Sequence, residues 1–328
     1  MKQIYVANLI EHLAVEIEEQ FYLKNIYLKE TKDIATPYLL LKLQDKTGSI
    51  WGRIWDKNIK DEYLNLKGTV ITVHGEVILN KYQQPEFVIC KIEGSTEYDI
   101  GQFINGLSPV ETDKFVQVLN KQIGMVKHKG YKELLDSLFS SDMQRFKEAP
   151  ASLSKNGSYN GGLLVQTVNV TSISLQIMRS LSAYDYHPGL KINYQPDLLI
   201  TGSLLYGIGI MNLYTPFPEA EKISESVLLP KQILSMQVIE HALQKDNIFL
   251  TPEEKNLLIH LIYVAYDNDT TKAANRESLI LHMAHKIYMD HSSLEYFIKC
   301  NQDSIGAVYD KKLNNYLYFQ KSDIKGGN

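Results

Sequence analysis

The sequence predicts two structural parts of different class: a small antiparallel β-barrel, then an all-α domain. Three observations predict it. Apolar and polar residues alternate over residues 20–95, the period of half-buried strands. From about residue 111 the apolar spacing changes to three and four, the period of amphipathic helices. Between them TEYDIGQFINGLSPV, residues 96–110, is polar and broken by Gly and Pro, which marks a boundary. A chain of 328 residues suits two domains.

Residues 1–19 are an N-terminal segment with an apolar stretch, acidic flanks and no cleavage signature; no signal peptide is expected. Five strand candidates come next, in FYLKNIYLKE, PYLLLKLQDKTGSIWGRIWD (two strands about the turn Asp45–Ser49), GTVITVHGEVILN and QPEFVICKIEG. KNIKDEYLNLKG, between the third and fourth, has the length of a short helix. Five strands with a helix after the third is the order of an OB barrel, which residues 20–95 are expected to form.

Alternation assigns sides. Leu39, Leu41, Leu43, Ile50, Gly52 and Ile54 face the core. Tyr38, Leu40, Lys42, Trp51, Arg53 and Trp55 then face outward.

Residues 96–150 read as a linker and connector helices, with FVQVLNKQI and YKELLDSLF as helical strings. Residues 151–294 form the helical domain, through LLVQTVNVTSISLQIM, LPKQILSMQVIEHAL, EEKNLLIHLIYVAY and ESLILHMAHKIY. Thr251-Pro252-Glu253-Glu254 is a helix start, with Thr as N-cap, Pro at the first helical position and acids in the first turn. Residues 295–328 form a C-terminal extension, in which AVYDKKLNNYLYFQ alternates like a hairpin.

Hydrophobic content is 44% and net charge −4, so no global basic field draws the chain to nucleic acid. Any such contact must come from a local patch. Two cysteines, Cys90 and Cys300, have no CxxC spacing. That excludes a disulfide framework and a Cys-based zinc site, and suits the cytoplasm. No run of 18 apolar residues marks a membrane span.

A barrel carrying LQDKTGSIWGRIWD, a helical connector, and a helical domain beginning EAPAS…NGGLLVQTV together form a pattern. It is similar to the YhaM-type 3′–5′ exoribonucleases, which pair an N-terminal OB-fold with a C-terminal HD domain. The resemblance covers most of residues 20–292. It implies an HD-like helical domain in which His and Asp residues on several helices hold divalent metal, Mn or Mg. Carried over position by position, it implies a degenerate site. The first His falls at Gln166 and the His-Asp pair at Tyr206 and Gly207. The following Lys falls at Ile210, a further His at Lys231, the paired His at Ala265 and Tyr266, and the last Asp at His285. Metal hydrolysis needs carboxylate or imidazole ligands, an open position and an acidified water. This set offers little of that, so no cofactor is expected.

Other candidates carry less. His282 and His285, three apart, can share a helical face, with Asp290 and His291 nearby, but no HExxH motif is present and a polar helix edge explains them better than metal does. His260 and His241 have apolar neighbours and read as packed or partly exposed. Residues 158–162, SYNGG, precede a helix but lack phosphate-loop spacing and a following Lys.

The barrel holds the positive evidence. OB-folds bind single strands on the outer face of the second and third strands and through the loops after the first and fourth. Those loops carry Lys29 and Lys32, and Lys81, Tyr82, Gln83 and Gln84. Residues 20–95 hold 11 basic against 9 acidic groups, a small excess over an acidic remainder. Tyr38, Lys42, Trp51, Arg53, Lys81 and Tyr82 are the candidate nucleic-acid surface. The competing expectation for Trp51 and Trp55 is packing against the connector or the helical domain.

The expected function is therefore non-catalytic single-stranded nucleic-acid binding, with the HD-like domain as a structural or protein-interaction module. No membrane partner is expected, and a homo-oligomer is compatible. One alternative is a divergent 3′–5′ exoribonuclease using Mn or Mg, with His282 and His285 as ligands. The other is an assembly factor without nucleic-acid binding, whose aromatics are interface hot spots.

Overall fold

The computed structural model describes residues 2–31, 36–55, 59–80, 83–153, 157–183, 193–215, 221–267, 272–300, 306–310 and 315–319, with side chains at all but 225, 227, 299, 300, 310 and 319. It divides into two compact units, Met1–Glu111 with Thr215–Glu221, and Thr112–Tyr214 with Lys222–Asn328.

The first unit holds five strands, β1 (Glu16–Glu30), β2 (Pro37–Asp45), β3 (Gly48–Trp55), β4 (Val70–Leu79) and β5 (Pro85–Gly94). They close in the order β1-β2-β3-β5-β4. The β3–β5 pair is parallel and the others antiparallel. This is the OB barrel, and closure leaves no free sheet edge. Inward Leu39, Leu41, Leu43, Ile50 and Ile54 are buried in its core with Phe21, Val73 and Phe87. Gly52 lies opposite Phe87 on β5, and a Cβ there would stand 2.5 Å from Ile89 Cδ1. The short helix expected between β3 and β4 is a 3-10 helix, Asp61–Leu66, with Tyr63 buried on the core.

Two boundaries differ from expectation. Residues 2–12 belong to the barrel rather than to a separate segment, and β1 begins at Glu16. Leu9 is buried in the core. Glu19 accepts from the Gln3 and Ile4 amides at 2.7 Å, and Asp45 from the Val6 amide at 2.7 Å. Lys2 lies 3.6 Å over the Phe21 ring and 3.6 Å from Asp45. Likewise, residues 96–110 are tied to the barrel instead of forming a free linker. Phe103 is buried with Tyr22 and Val70, and Tyr5 donates to Gln102 at 2.5 Å. Both attachments act across the barrel: Leu9, with Ile4 and Val6, packs on the core from the first segment, and Phe103 is the buried anchor of the second.

The second unit is helical: α1 (Pro109–Gly124, which begins in the first unit), α2 (Lys129–Glu148), α3 (Gly162–Ala183), α4 (Pro196–Leu205), α5 (Lys231–Lys245), α6 (Pro252–Ala265) and α7 (Arg276–Cys300). Every residue of α4 from Leu198 to Leu205 is buried. An apolar helix buried all round sits at the centre of a bundle, and α3, α6 and α7 pack against it. Thr251 caps α6 with Pro252 at the first position, and Glu254 completes a capping box. α7 runs through residue 294 to Cys300. Beyond it β6 (Gly306–Asp310) pairs antiparallel with β7 (Asn315–Phe319). Among the described residues no helix is long and apolar enough to cross a membrane.

Candidate functional site

The outward residues of β2 and β3 form one ladder on the barrel. Tyr38 is paired with Trp55, Leu40 with Arg53, and Lys42 with Trp51. The Tyr38 and Trp55 rings lie 5.4 Å apart, and Lys42 Nζ sits 4.5 Å over the Trp51 ring. Trp51 and Trp55 remain 40% and 38% exposed, so both tryptophans present surface. β1 extends the face: Tyr27 is opposite Leu40, Lys29 opposite Tyr38, and Lys29 lies 5.8 Å over the Tyr27 ring.

Two features of the charge on this face, the pairing of Arg53 with Glu86 and the nearness of Lys24, were not read from the sequence. Arg53 Nε stands 2.5 Å from Glu86 Oε1, and Arg53 also lies 5.7 Å over the Tyr38 ring. Glu86 is buried on β5, so Arg53 arrives already paired. The signal was available, because Glu86 alternates with inward Phe87, but the parallel β3–β5 closure that brings them together is not local. The second is Lys24, at the irregular register between Leu23 and Asn25. Burial, and then the Lys24 charge, lower the Lys42 ammonium below its ordinary value. Among the described residues neither lysine forms an ion pair. Lys32, Lys81 and Tyr82 lie outside the described residues.

The helical unit brings together the positions that the resemblance assigns to metal. Gln166 comes from α3, Tyr206 caps the end of α4, Lys231 starts α5, Ala265 and Tyr266 end α6, and His285 lies on α7. Gln166 Nε2 donates to the fully buried Tyr206 hydroxyl at 2.9 Å. The Tyr206 ring lies 5.2 Å from Tyr266 and 5.4 Å from His285, and Tyr266 lies 4.8 Å from His285. Lys231 Nζ is 4.0 Å over the Tyr266 ring. Gly207 is filled against this cluster, since a Cβ would meet the Tyr266 hydroxyl at 3.2 Å and Leu163 at 3.3 Å. Ser235 locks the turn after α4, donating to the Tyr206 carbonyl at 2.8 Å and accepting from the Gly209 amide at 3.0 Å. Nothing in the local sequence singled out Ser235.

The electrostatics derive from burial. Tyr206 and Tyr266 are pushed above their ordinary range by desolvation, so both phenols are neutral. Burial, then the Lys231 charge, pushes His285 down to about 3. Burial also lowers Lys231. The donor set is therefore two phenols, an amide, an ammonium and one imidazole. It does not suit a divalent cation, which needs anionic oxygen or several imidazoles. Among the described residues no three His, Cys, Asp or Glu side chains gather as a ligand group.

His282 is not at a polar helix edge. It is buried, with Nδ1 3.1 Å from the Val264 carbonyl. His282 thus meets the last turn of α6, where the Val264 carbonyl also accepts from the Asp267 amide at 3.0 Å. His260 Nε2 accepts from the Ala274 amide at 2.9 Å. Gly162 closes its own turn, where a Cβ would stand 2.2 Å from the Gly157 carbonyl.

No family model matches the chain. It is a distant homologue of the 3′–5′ exoribonuclease YhaM of Halalkalibacterium halodurans, 24% identical over 93% of each chain. Among solved structures, the second OB-fold domain of replication protein A from Methanococcus maripaludis is 27% identical, covering 27% of this chain and 89% of that one, with a TM-score of 0.19. Asparaginyl-tRNA synthetase from Pyrococcus horikoshii is 10% identical, covering 78% of this chain and 63% of that one, with a TM-score of 0.24.

Proposed function

We propose that the protein binds single-stranded nucleic acid on the outer face of β1, β2 and β3 and performs no metal-dependent hydrolysis. The observation that carries the reading is Lys42. Its ammonium stacks on exposed Trp51, lies near Lys24, and has no acidic partner among the described residues. A phosphate beside Lys24 and Lys42 would relieve their mutual repulsion. Bases would stack on Trp51, Trp55 and Tyr38, as aromatic platforms do in single-strand binders. The homology to a protein named as an exoribonuclease supports nucleic acid as the ligand class. In this reading the helical unit is a structural or protein-binding module.

A second reading keeps catalysis. It is favoured by the homology, which spans 93% of each chain and so includes the helical unit as well as the barrel. Two assays separate them. The first titrates a labelled single-stranded oligonucleotide into the protein at two salt concentrations. Binding that weakens with salt is expected, and no binding at low salt overturns the proposal. The second incubates the protein with single-stranded RNA and Mn²⁺. Unchanged RNA is expected, whereas shortening abolished by a chelator establishes the enzyme reading.

A further inference from the structure

We infer that the helical unit binds an organic carboxylate with an apolar body, in a cavity at the start of α4. The cavity measures about 550 Å³, within the range of small-molecule sites, roughly 300–1,000 Å³. It lies at the opposite end of α4 from Tyr206, so it is separate from the cluster of Gln166, Tyr206 and His285. Its floor is apolar: Leu175 and Met178 of α3 and Leu198 of α4 are buried there, and half-buried Met125 lines one side. The two thioethers give the wall a shape that adapts to a ligand.

The rim carries charge that the protein leaves unused. Lys127 and Arg179 line the cavity and are exposed, and neither side chain forms an ion pair or hydrogen bond among the described residues. The two lining acids, by contrast, are engaged within the protein. Asp197 Oδ2 accepts from the Lys127 and His128 amides at 3.0 and 2.7 Å. Glu254 meets the His128 ring at 3.0 Å through one oxygen and accepts from the Thr251 amide at 2.8 Å through the other. These bonds tie the starts of α2, α4 and α6 together, so the walls are set before a ligand arrives and less ordering is lost on binding. The free charge of the site is therefore positive while its floor is apolar. A neutral apolar ligand leaves both cations unused, and a small inorganic anion leaves the floor unused. An organic cation faces Lys127 and Arg179. A carboxylate on an alkyl or aryl body meets both halves of the site. This inference is independent of the barrel reading, and its test uses no oligonucleotide.

The test titrates octanoate, 2-naphthoate, octan-1-ol, octylammonium and acetate into the full chain by calorimetry, below the concentrations at which the amphiphiles aggregate. One of the first two should bind at least about tenfold more tightly than octan-1-ol, as a charge-assisted bond predicts. The tighter of them tells an alkyl from an aryl body. Acetate and octylammonium should bind more weakly than octan-1-ol. Lys127→Met with Arg179→Met removes both cations from exposed positions, so this double variant should keep its Tm and lose the preference for carboxylate over alcohol. Lys127→Arg with Arg179→Lys keeps both charges and should keep that preference. Equal affinity for octanoate, 2-naphthoate and octan-1-ol overturns the inference, as does binding of neither carboxylate. Acetate bound as tightly as the larger carboxylates also overturns it, because the floor then contributes nothing. So does a carboxylate preference that persists when both cations are replaced by Met.

Discussion

The Tyr206 hydroxyl accepts a hydrogen bond from Gln166 Nε2 at 2.9 Å, and both side chains are buried in the helical unit. Each partner therefore depends on the other. Tyr206→Phe leaves a buried amide donor unmet, and Gln166→Leu leaves a buried hydroxyl unmet. Each should cost about 1–3 kcal/mol. The double variant should cost less than the sum, because neither orphan remains. Urea unfolding of the three variants measures the coupling, and strict additivity would contradict the bond.

Introducing at 206 and 207 the His-Asp pair that the resemblance assigns there should not make a metal site. Tyr206→His with Gly207→Asp places a carboxylate where a Cβ already meets the Tyr266 hydroxyl at 3.2 Å. Overpacking alone costs about 1–3 kcal/mol. The expected outcome is a lower Tm and no stabilisation by Mn²⁺. A Tm that rises on Mn²⁺ addition would refute it.

Acid should unfold this protein through His285. Its folded value is about 3 against an ordinary 6.5, so between those limits the unfolded chain binds more protons. Its contribution to stability is complete above pH 6.5 and is lost as pH falls toward 3, by up to about 1.4 kcal/mol per pH unit. Carboxylates add their own loss nearer pH 4. The diagnostic window is thus pH 5 to 6.5, where His285→Asn should flatten the denaturation profile. An unchanged slope would show that His285 does not titrate as its burial requires.

Asp45 should matter far more than a turn residue does. Its carboxylate accepts from the Val6 amide at 2.7 Å, the Thr47 amide at 2.8 Å and the Thr47 hydroxyl at 2.6 Å, and faces buried Lys2 at 3.6 Å. Breaking a buried pair costs about 3–5 kcal/mol, so Asp45→Ala should approach that loss. Lys2, held at about 8 mainly by burial, gives a second readout. Between pH 8 and 10.5 the unfolded chain binds the extra proton, so wild-type stability should rise with pH across that window. A fall there would contradict the placement of Lys2.

On the barrel face, Trp51→Ala and Trp55→Ala should each weaken oligonucleotide binding about tenfold or more, at about 1–3 kcal/mol per stacked base. Both rings are substantially exposed, so the fold should tolerate the change. Lys42→Met should reduce the salt slope by about 0.7. Full affinity in all three variants would remove the face from the proposed function.

Much of the barrel was legible because strand period is local. Leu39, Leu41 and Leu43 went inward, and Trp51 and Trp55 outward, from alternation alone. The start of α6 was legible for the same reason, since Thr251, Pro252 and Glu254 sit within one turn. The attachment of residues 2–12 was not, because its amides are satisfied by Glu19 and Asp45 across the barrel. Residues 96–110 misled in the same way: one buried Phe103 outweighs a polar composition.

By itself the sequence determined the barrel, the helical class of the second unit, and the chemical types at positions 166, 206, 207, 231, 265, 266 and 285. Only the tertiary structure decided what those types do to one another. Side chains 119 residues apart in the chain, from Gln166 to His285, meet because α3, α6 and α7 pack on buried α4. Hydrogen bonding, burial and charge repulsion act through space, so the partner of Gln166, the depressed His285 and the pairing of Arg53 with Glu86 depend on which helices and strands become neighbours. No local pattern of residues encodes that choice of neighbour.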